Sequence, residues 1–276
     1  MTNEEVLDRL KIWAGETRGV AALMLFGSRA RGMGDALSDW DFHIIAKDAH
    51  FTADKNWTHA IGLGPPLVYA SRDGVVGRVK RLTVLWKDVD MDFVVLPFTQ
   101  MRLARMALHL NLHRHSSLIR RRLADLACIA RPGSLQVYGA PVWGQFYRRV
   151  CDLIEDPMPD DSDLIKKAEL FAADYHWVRC KIERGELLAA QRVLHRSLVE
   201  INFELLWVLR RRRRMDAWPE ARRLERWASD EERLRVSFVS EPDVGDLVRA
   251  LHQNLEFFRL MMKELVGTRW SWPEGF

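Results

Sequence analysis

The 276-residue sequence predicts an α+β fold, a mixed sheet with flanking helices followed by an all-α helical bundle. Three observations lead there. The first hundred residues hold four short apolar segments bounded by glycine, proline or charged residues. Beyond Pro97 the apolar residues recur at helical spacing over long segments. Between the two regimes lies EDPMPDDSD (155–163), with five acids and two prolines in nine residues, which marks a boundary between domains 1–154 and 155–276.

Residues 4–16 read as an amphipathic helix, with Val6, Leu7, Leu10, Ile12 and Trp13 on roughly one face. VAALMLF (20–26) is a continuous apolar run that stops at Gly27, which suits a strand buried on both faces. WDFHIIA (40–46) is a second strand, and 80–86 and 89–96 are two more, the last ended by Pro97. GLGPP (62–66) can only be a turn or loop. A helix over 99–130 follows, then a break at Pro132-Gly133, a short extended piece at 135–139 and a helix around 143–154. In the second domain 163–184, 187–213, 219–228 and 242–265 read as helices, with Gly185 and Trp218-Pro219 as stop and start signals.

Composition narrows the function. Three cysteines far apart, with no CxxC pair, exclude a disulfide scaffold and a zinc ribbon. No apolar run approaches the ~18 residues of a membrane span, and the acidic amphipathic N-terminus is unlike a secretory signal. The expectation is a cytoplasmic enzyme or binding protein without a membrane partner. The net charge of +4 is uneven: residues 1–100 carry −1 and residues 101–276 carry +5, with the longest basic run at 210–214. Such a run can hold phosphate or nucleic acid, but it also suits a solvated helix C-terminus. The sequence contains no GxxxxGK[ST] loop, GxGxxG fingerprint or GxSxG elbow, against P-loop, Rossmann and α/β-hydrolase chemistry. His109 and His113 are four apart, but no HExxH pattern accompanies them, so they read as surface histidines.

The informative stretch is LFGSRARGMGDALSDWDFHII (25–45). A buried strand delivers the chain to Gly27-Ser28, where a helical turn can begin. Glycine permits close backbone approach, serine suits an N-cap, and a helix start offers N–H groups to phosphate. Asp39 and Asp41 are two apart on a strand, so their side chains point to the same face. Adjacent carboxylates repel, and a divalent cation resolves the repulsion; magnesium takes one or two carboxylates plus substrate phosphates. The 89–96 strand and its entry carry Asp88, Asp90 and Asp92, and Asp90 and Asp92 also share a face. Phosphate-gripping backbone beside a carboxylate cluster is what two-metal phosphoryl or nucleotidyl transfer requires.

This segment resembles the signature of the DNA polymerase β-like nucleotidyltransferase superfamily: Gly-Ser, a gap of ten or so residues, then Asp-x-Asp. Within it the likeness is to antibiotic nucleotidyltransferases, nearest to streptomycin 6-adenylyltransferases. GSRARG and SDWDFHII match the first motif, and WKDVDMDFVVLP resembles a later strand, with the match falling on Asp92 and Asp90 displaced by two positions. The motif match covers about residues 20–100.

The resemblance implies a nucleotidyltransferase-type sheet and a helical domain that closes the substrate cleft. It implies that Asp39, Asp41 and Asp92 bind magnesium, two ions in all, with Asp92 as third ligand, general base or both. Gly27 and Ser28 would line the triphosphate of ATP, with Arg31, and less so Arg29, adding contacts. In the second domain YHWVRCKIERGELLAAQRVL (175–194) is similar to the helix-turn-helix of those enzymes, which makes Lys181 and Arg184 candidates for the nucleotide phosphates. The implied reaction moves AMP from ATP to a hydroxyl of an aminoglycoside-like polycation. The acidic 155–163 stretch, Glu169 and Asp174 could attract such an acceptor. The alternatives are the same chemistry on RNA (tRNA) or protein, as in toxin-type enzymes, and a relative that binds a nucleotide without catalysis.

Overall fold

A computed structural model describes residues 1–273 apart from 36, 49–50, 52–53, 74–78, 156–157, 219–220 and 238. Two compact units divide the chain, Met1–Pro157 and Met158–Phe276.

The first unit begins with α1 (Asn3–Glu16), started by a capping box in which Thr2 and Glu5 satisfy each other's backbone N–H groups. It buries Val6, Leu10, Trp13 and Ala14, while Ile12 is exposed, because the buried face follows the i, i+4, i+7 spacing. Then come β1 (Val20–Phe26), a single helical turn α2 (Gly27–Ala30), β2 (Trp40–Ala46), β3 (Val68–Asp73), β4 (Lys80–Leu85) and β5 (Asp90–Pro97). Helices α3 (Phe98–His109) and α4 (Ser117–Ala130), strand β6 (Ser134–Gly139) and α5 (Val142–Leu153) complete the unit.

The six strands form one mixed sheet in the order β3-β4-β5-β2-β1-β6. Only β2 and β5 run parallel, and every other neighbouring pair is antiparallel. One face carries Leu23, Leu25, Phe42, Ile44 and Phe93 against α1. Phe42 and Phe93 are register partners, both fully buried, with stacked rings 5.6 Å apart. The other face carries Ala22, Met24, Phe26, Ile45 and Leu96 against α3, α4 and α5. A strand with helices on both sides must be apolar throughout, which is why 20–26 reads as an unbroken apolar run.

Two features of this unit differ from the sequence reading. Strand β3 was hidden because it lies at the sheet edge with nearly every residue exposed, so it has no apolar periodicity. The single helix expected over 99–130 is two helices, parted by Asn111 in the left-handed region (φ 54°) and a 3₁₀ turn at Leu112–Arg114. Ser116 then caps α4 through the Ile119 N–H. His109 ends one helix and His113 sits in the turn, so they share no helix face.

The second unit is helical throughout its described residues: α6 (Asp161–Glu183), α7 (Leu187–Val193), a π-helical turn (Leu194–Val199), α8 (Glu200–Arg212), α9 (Leu224–Trp227), α10 (Asp230–Val236) and α11 (Val244–Val266). Its own core joins Phe171, Tyr175, Leu198, Leu205, Phe258 and Met261, and Phe171 stacks on Phe258 at 3.8 Å. Of the helix expected over 219–228 only α9 forms among the described residues, since Ala221 and Arg223 adopt positive φ; Pro219 lies outside them. The short α10, capped by Ser229 and Glu232, was not expected. No helix among the described residues is long and apolar enough to cross a membrane.

Candidate active site

On the face of the sheet that packs against α3–α5, residue character changes along each strand. Strand β2 presents Ile45, His43 and Asp41 in turn, and β5 presents Leu96, Val94 and Asp92. The apolar ends lie in the core, and the carboxylates stand at the other end of the two strands. Because β2 and β5 are parallel and in register, Asp41 and Asp92 are direct neighbours across the pair. Asp39 precedes β2 by one residue. One carboxylate oxygen from each of Asp39, Asp41 and Asp92 lies within 4.8 Å of the other two. Asp39 is exposed, Asp41 half-buried and Asp92 buried. Asp90 is exposed and stands outside this group.

The donor set suits a hard divalent cation. Magnesium prefers carboxylate oxygens, and on one octahedral ion neighbouring ligands are about 2.9 Å apart and opposed ones about 4.2 Å, both inside the 4.8 Å limit of this group. Zinc would ask for histidine or thiolate, and none joins the group among the described residues.

The Gly27-Ser28 bend lies against the cluster. Strand β1 pairs Phe26 with Asp41, and the next residue, Gly27, turns at φ 77°. A Cβ on Gly27 would stand 3.1 Å from Oδ2 of Asp41. Only glycine brings the backbone this near the carboxylate in that conformation. The expectation that Ser28 caps a helix is corrected: Phe26 holds the N-cap position of the four-residue α2, and Ser28 lies inside it. The Ser28 carbonyl accepts from the N–H groups of Arg31 and Met33 (3.2 and 2.9 Å), which folds the bend into a compact turn. The stem of Arg31 packs over Gly133, where any Cβ would collide with it.

Two arginines show more than the sequence conveyed. Arg29 spans the loop that carries Asp39: its Nε donates to the carbonyls of Ser38 (2.8 Å) and Asp39 (3.2 Å), and its amino groups to Asp35 O (3.1 Å) and Asn3 Oδ1 (2.7 Å). Its guanidinium lies 4.4 Å from the centre of the Trp40 ring. Gly34 leaves room for it, since a Cβ there would meet the Arg29 stem at 2.5 Å. Burial lowers the Arg29 pKa, opposed by the charges of Asp35 and Asp39.

Arg81, from β4, was not singled out in the sequence. It pairs with Oδ2 of Asp92, while Thr83, the register partner of Asp92, donates to Oδ1 (2.5 Å). Arg72 on β3 donates in turn to Thr83 Oγ1 (3.1 Å). The hydrogen bond to Asp92 raises the Arg81 pKa against the effect of burial, and the charges of Asp92, Asp41 and Asp39 raise it further. The signal for Arg81 was its distance from Asp92, eleven residues across a hairpin, visible only once the register is known.

No protein-family model matches the chain, and no curated protein matches it. Among solved structures it is similar to an aminoglycoside 6-adenyltransferase from Bacillus subtilis, with 12% identity and a TM-score of 0.41 over 99% of this chain and 94% of that one. It is also similar to a nucleotidyltransferase-like protein from Exiguobacterium sibiricum, with 10% identity and a TM-score of 0.37 over 97% and 78%.

The remaining candidates lie in the second unit. Lys181 pairs with Glu186 at 2.5 Å and lies 5.0 Å from the centre of the Trp177 ring. Arg184 is exposed at the C-terminal cap of α6. Asp174 accepts a hydrogen bond from Ser197. Of the acidic 155–163 stretch, Asp156 and Pro157 lie outside the described residues, while Asp160 caps α6 and Asp161 pairs with Arg212 and Arg269.

Proposed function

We propose that this chain is a magnesium-dependent nucleotidyltransferase that moves AMP from ATP to a hydroxyl of an aminoglycoside-like small molecule and releases pyrophosphate. One observation carries the reading: three carboxylates from two adjacent strands gather within 4.8 Å beside a glycine bend. The motif resemblance over residues 20–100 supports it.

In this reading Asp39, Asp41 and Asp92 hold the metal ions. When bound, magnesium supplies charge neutralisation for the triphosphate and a lowered pKa at the attacking hydroxyl. Gly27 and Ser28 line the triphosphate, with Arg31 beside them. Asp92, fixed at both oxygens by Arg81 and Thr83, orients the acceptor hydroxyl and takes its proton as the hydroxyl oxygen bonds to the α-phosphorus and the bond to the β-phosphate oxygen breaks. Lys181 and Arg184 contribute charge to the nucleotide phosphates. The location is cytoplasmic, as a nucleoside triphosphate donor requires.

A second reading keeps this chemistry and makes RNA the acceptor. Arg81 and Arg72 favour it, because they place positive charge on the sheet face beside Asp92, where a polycation would be repelled.

The protein is incubated with radiolabelled ATP, magnesium and either an aminoglycoside panel or total RNA. Label on an aminoglycoside supports the first reading, and label on RNA the second. Label on neither removes both acceptors. Asp41→Asn should lower transfer by more than the 10–100-fold typical of an outer-shell change, with its melting temperature unchanged or raised as carboxylate repulsion falls.

A further inference from the structure

At the opposite end of the same sheet the first unit holds a cleft of ≈ 920 Å³. It opens where β1 starts and where β2, β5 and β6 finish, and it is lined by Lys11, Lys47, Arg102, Arg105, Phe98 and Tyr138 among others. Lys47 follows β2, its N–H still tied to the Gly19 carbonyl at 2.8 Å. Six residues separate it from Asp41 along that strand, roughly 20 Å at strand rise. The cleft therefore shares no residue with the carboxylate cluster.

Its chemistry is one-sided. Four cations line it and no acid does, among the described residues. Among the described residues, no carboxylate forms an ion pair with Lys11, Lys47, Arg102 or Arg105. Three of them are steadied instead by aromatic rings: Lys47 and Arg102 each stand 5.8 Å from the Phe98 ring centre, and Arg105 stands 5.4 Å from that of Trp143. Such contacts orient a cation without neutralising it. Arg102 and Arg105 are three apart on α3 and share a face. Burial grades the lining: Val20 and Trp143 are buried, Phe98 and Tyr138 half-buried, and Lys11, Lys47 and Arg102 exposed. That is an apolar floor under a cationic rim.

We propose that this cleft is a second binding site, which takes a phosphorylated small molecule with a planar or apolar body, such as a nucleotide. The body rests on Phe98, Tyr138 and the buried floor, and the phosphates meet the four cations. The volume lies in the range of small-molecule sites, and mutual repulsion of four uncompensated cations is relieved when an anion binds. Forked arginine donors suit phosphate oxygens particularly well. The site does not depend on the reaction proposed for the carboxylate end.

The test is titration of the full-length protein with ADP in EDTA, followed by calorimetry. Saturable binding is expected that weakens at least tenfold in Arg102→Glu/Arg105→Glu, while Asp41→Asn binds like the parent. Because Arg105 packs on Trp143, the double substitution also removes a packing contact; Lys11→Glu, at an exposed position of α1, supplies the independent check and should weaken ADP binding with an unchanged melting temperature. The proposal is overturned by absence of ADP binding, by retention of full affinity in both cleft variants, or by loss of binding in Asp41→Asn alone. Binding of single-stranded RNA without any binding of ADP also overturns it.

Discussion

Gly27 and Arg29 are two residues apart and govern the carboxylate cluster in different ways. Gly27 lets β1 turn at φ 77° with its α-carbon close to Asp41. Gly27→Ala adds a methyl 3.1 Å from Oδ2 of Asp41 and forces a side chain into the left-handed region, a cost of about 1–2 kcal/mol. Denaturant unfolding should show that loss, and metal-dependent activity should fall further, since Asp41 must move. Arg29 holds the carbonyls of Ser38 and Asp39 and so fixes the loop that delivers Asp39. Arg29→Ala should weaken magnesium dependence by roughly 10–100-fold, as for other outer-shell partners. Arg29→Lys should rescue little, because one ammonium cannot reproduce the fork across four acceptors. A magnesium titration of activity separates this from a general loss of stability, which would lower activity at saturating metal without shifting the half-point.

At the scale of elements, β2 carries both chemistry and core. Two residues beyond Asp41, His43 is fully enclosed; its Nδ1 lies 2.9 Å from the Tyr147 hydroxyl on α5, and its ring packs on Phe26. Burial pushes its pKa down to about 3 and raises that of Tyr147, so the pair is neutral in the folded protein. The unfolded chain binds a proton at His43 below about pH 6.5, whereas the folded chain does not until about pH 3. Stability from this site is therefore complete above pH 6.5 and is lost as pH falls through that window, by up to about 1.4 kcal/mol per pH unit. A His43→Gln variant should unfold with a flatter dependence on pH between 4 and 6 in urea titrations. The element scale also explains what the sequence concealed. Strand β3 is exposed and carries no alternation, so pairing with β4 decides it. The break at Asn111 is a local left-handed residue inside a segment with good helical periodicity, and periodicity alone reads through it.

For the whole molecule, each unit closes around apolar packing of its own, on both faces of the sheet in the first and among the helices in the second. The first unit is a sheet with helices on both faces, and its carboxylates and basic cleft stand at opposite ends of the same strands. The second is a helical unit in which three arginines of the 210–214 run form ion pairs. Arg210 pairs with Glu232 at 2.7 Å, donates to the Asp216 carbonyl and lies over Trp227, while Arg212 reaches Asp161 and Arg213 reaches Glu264. The run ends α8 with Arg211–Arg214 exposed, as a solvated helix end does, while Arg210, Arg212 and Arg213 also tie it to α10, to the start of α6 and to α11. Arg210→Ala leaves Glu232 without its partner in a largely buried setting, and should cost about 3–5 kcal/mol. Thermal unfolding followed by circular dichroism reads that loss, and retention on immobilised RNA should change little if the run serves packing.

Sequence by itself determined the strands at 20–26 and 40–46 and the change to helices after Pro97, because side-chain periodicity and apolar burial are local properties of the chain. It left Asp90 and Asp92 as rivals, since both point the same way from one strand. Tertiary structure chose between them: the parallel register of β2 and β5 sets Asp92, not Asp90, beside Asp41. Tertiary structure alone also brought Arg81 to Asp92 and collected Lys11, Lys47, Arg102 and Arg105 around one cleft. Those encounters join residues far apart in the chain, and only strand register and helix packing decide which of them meet.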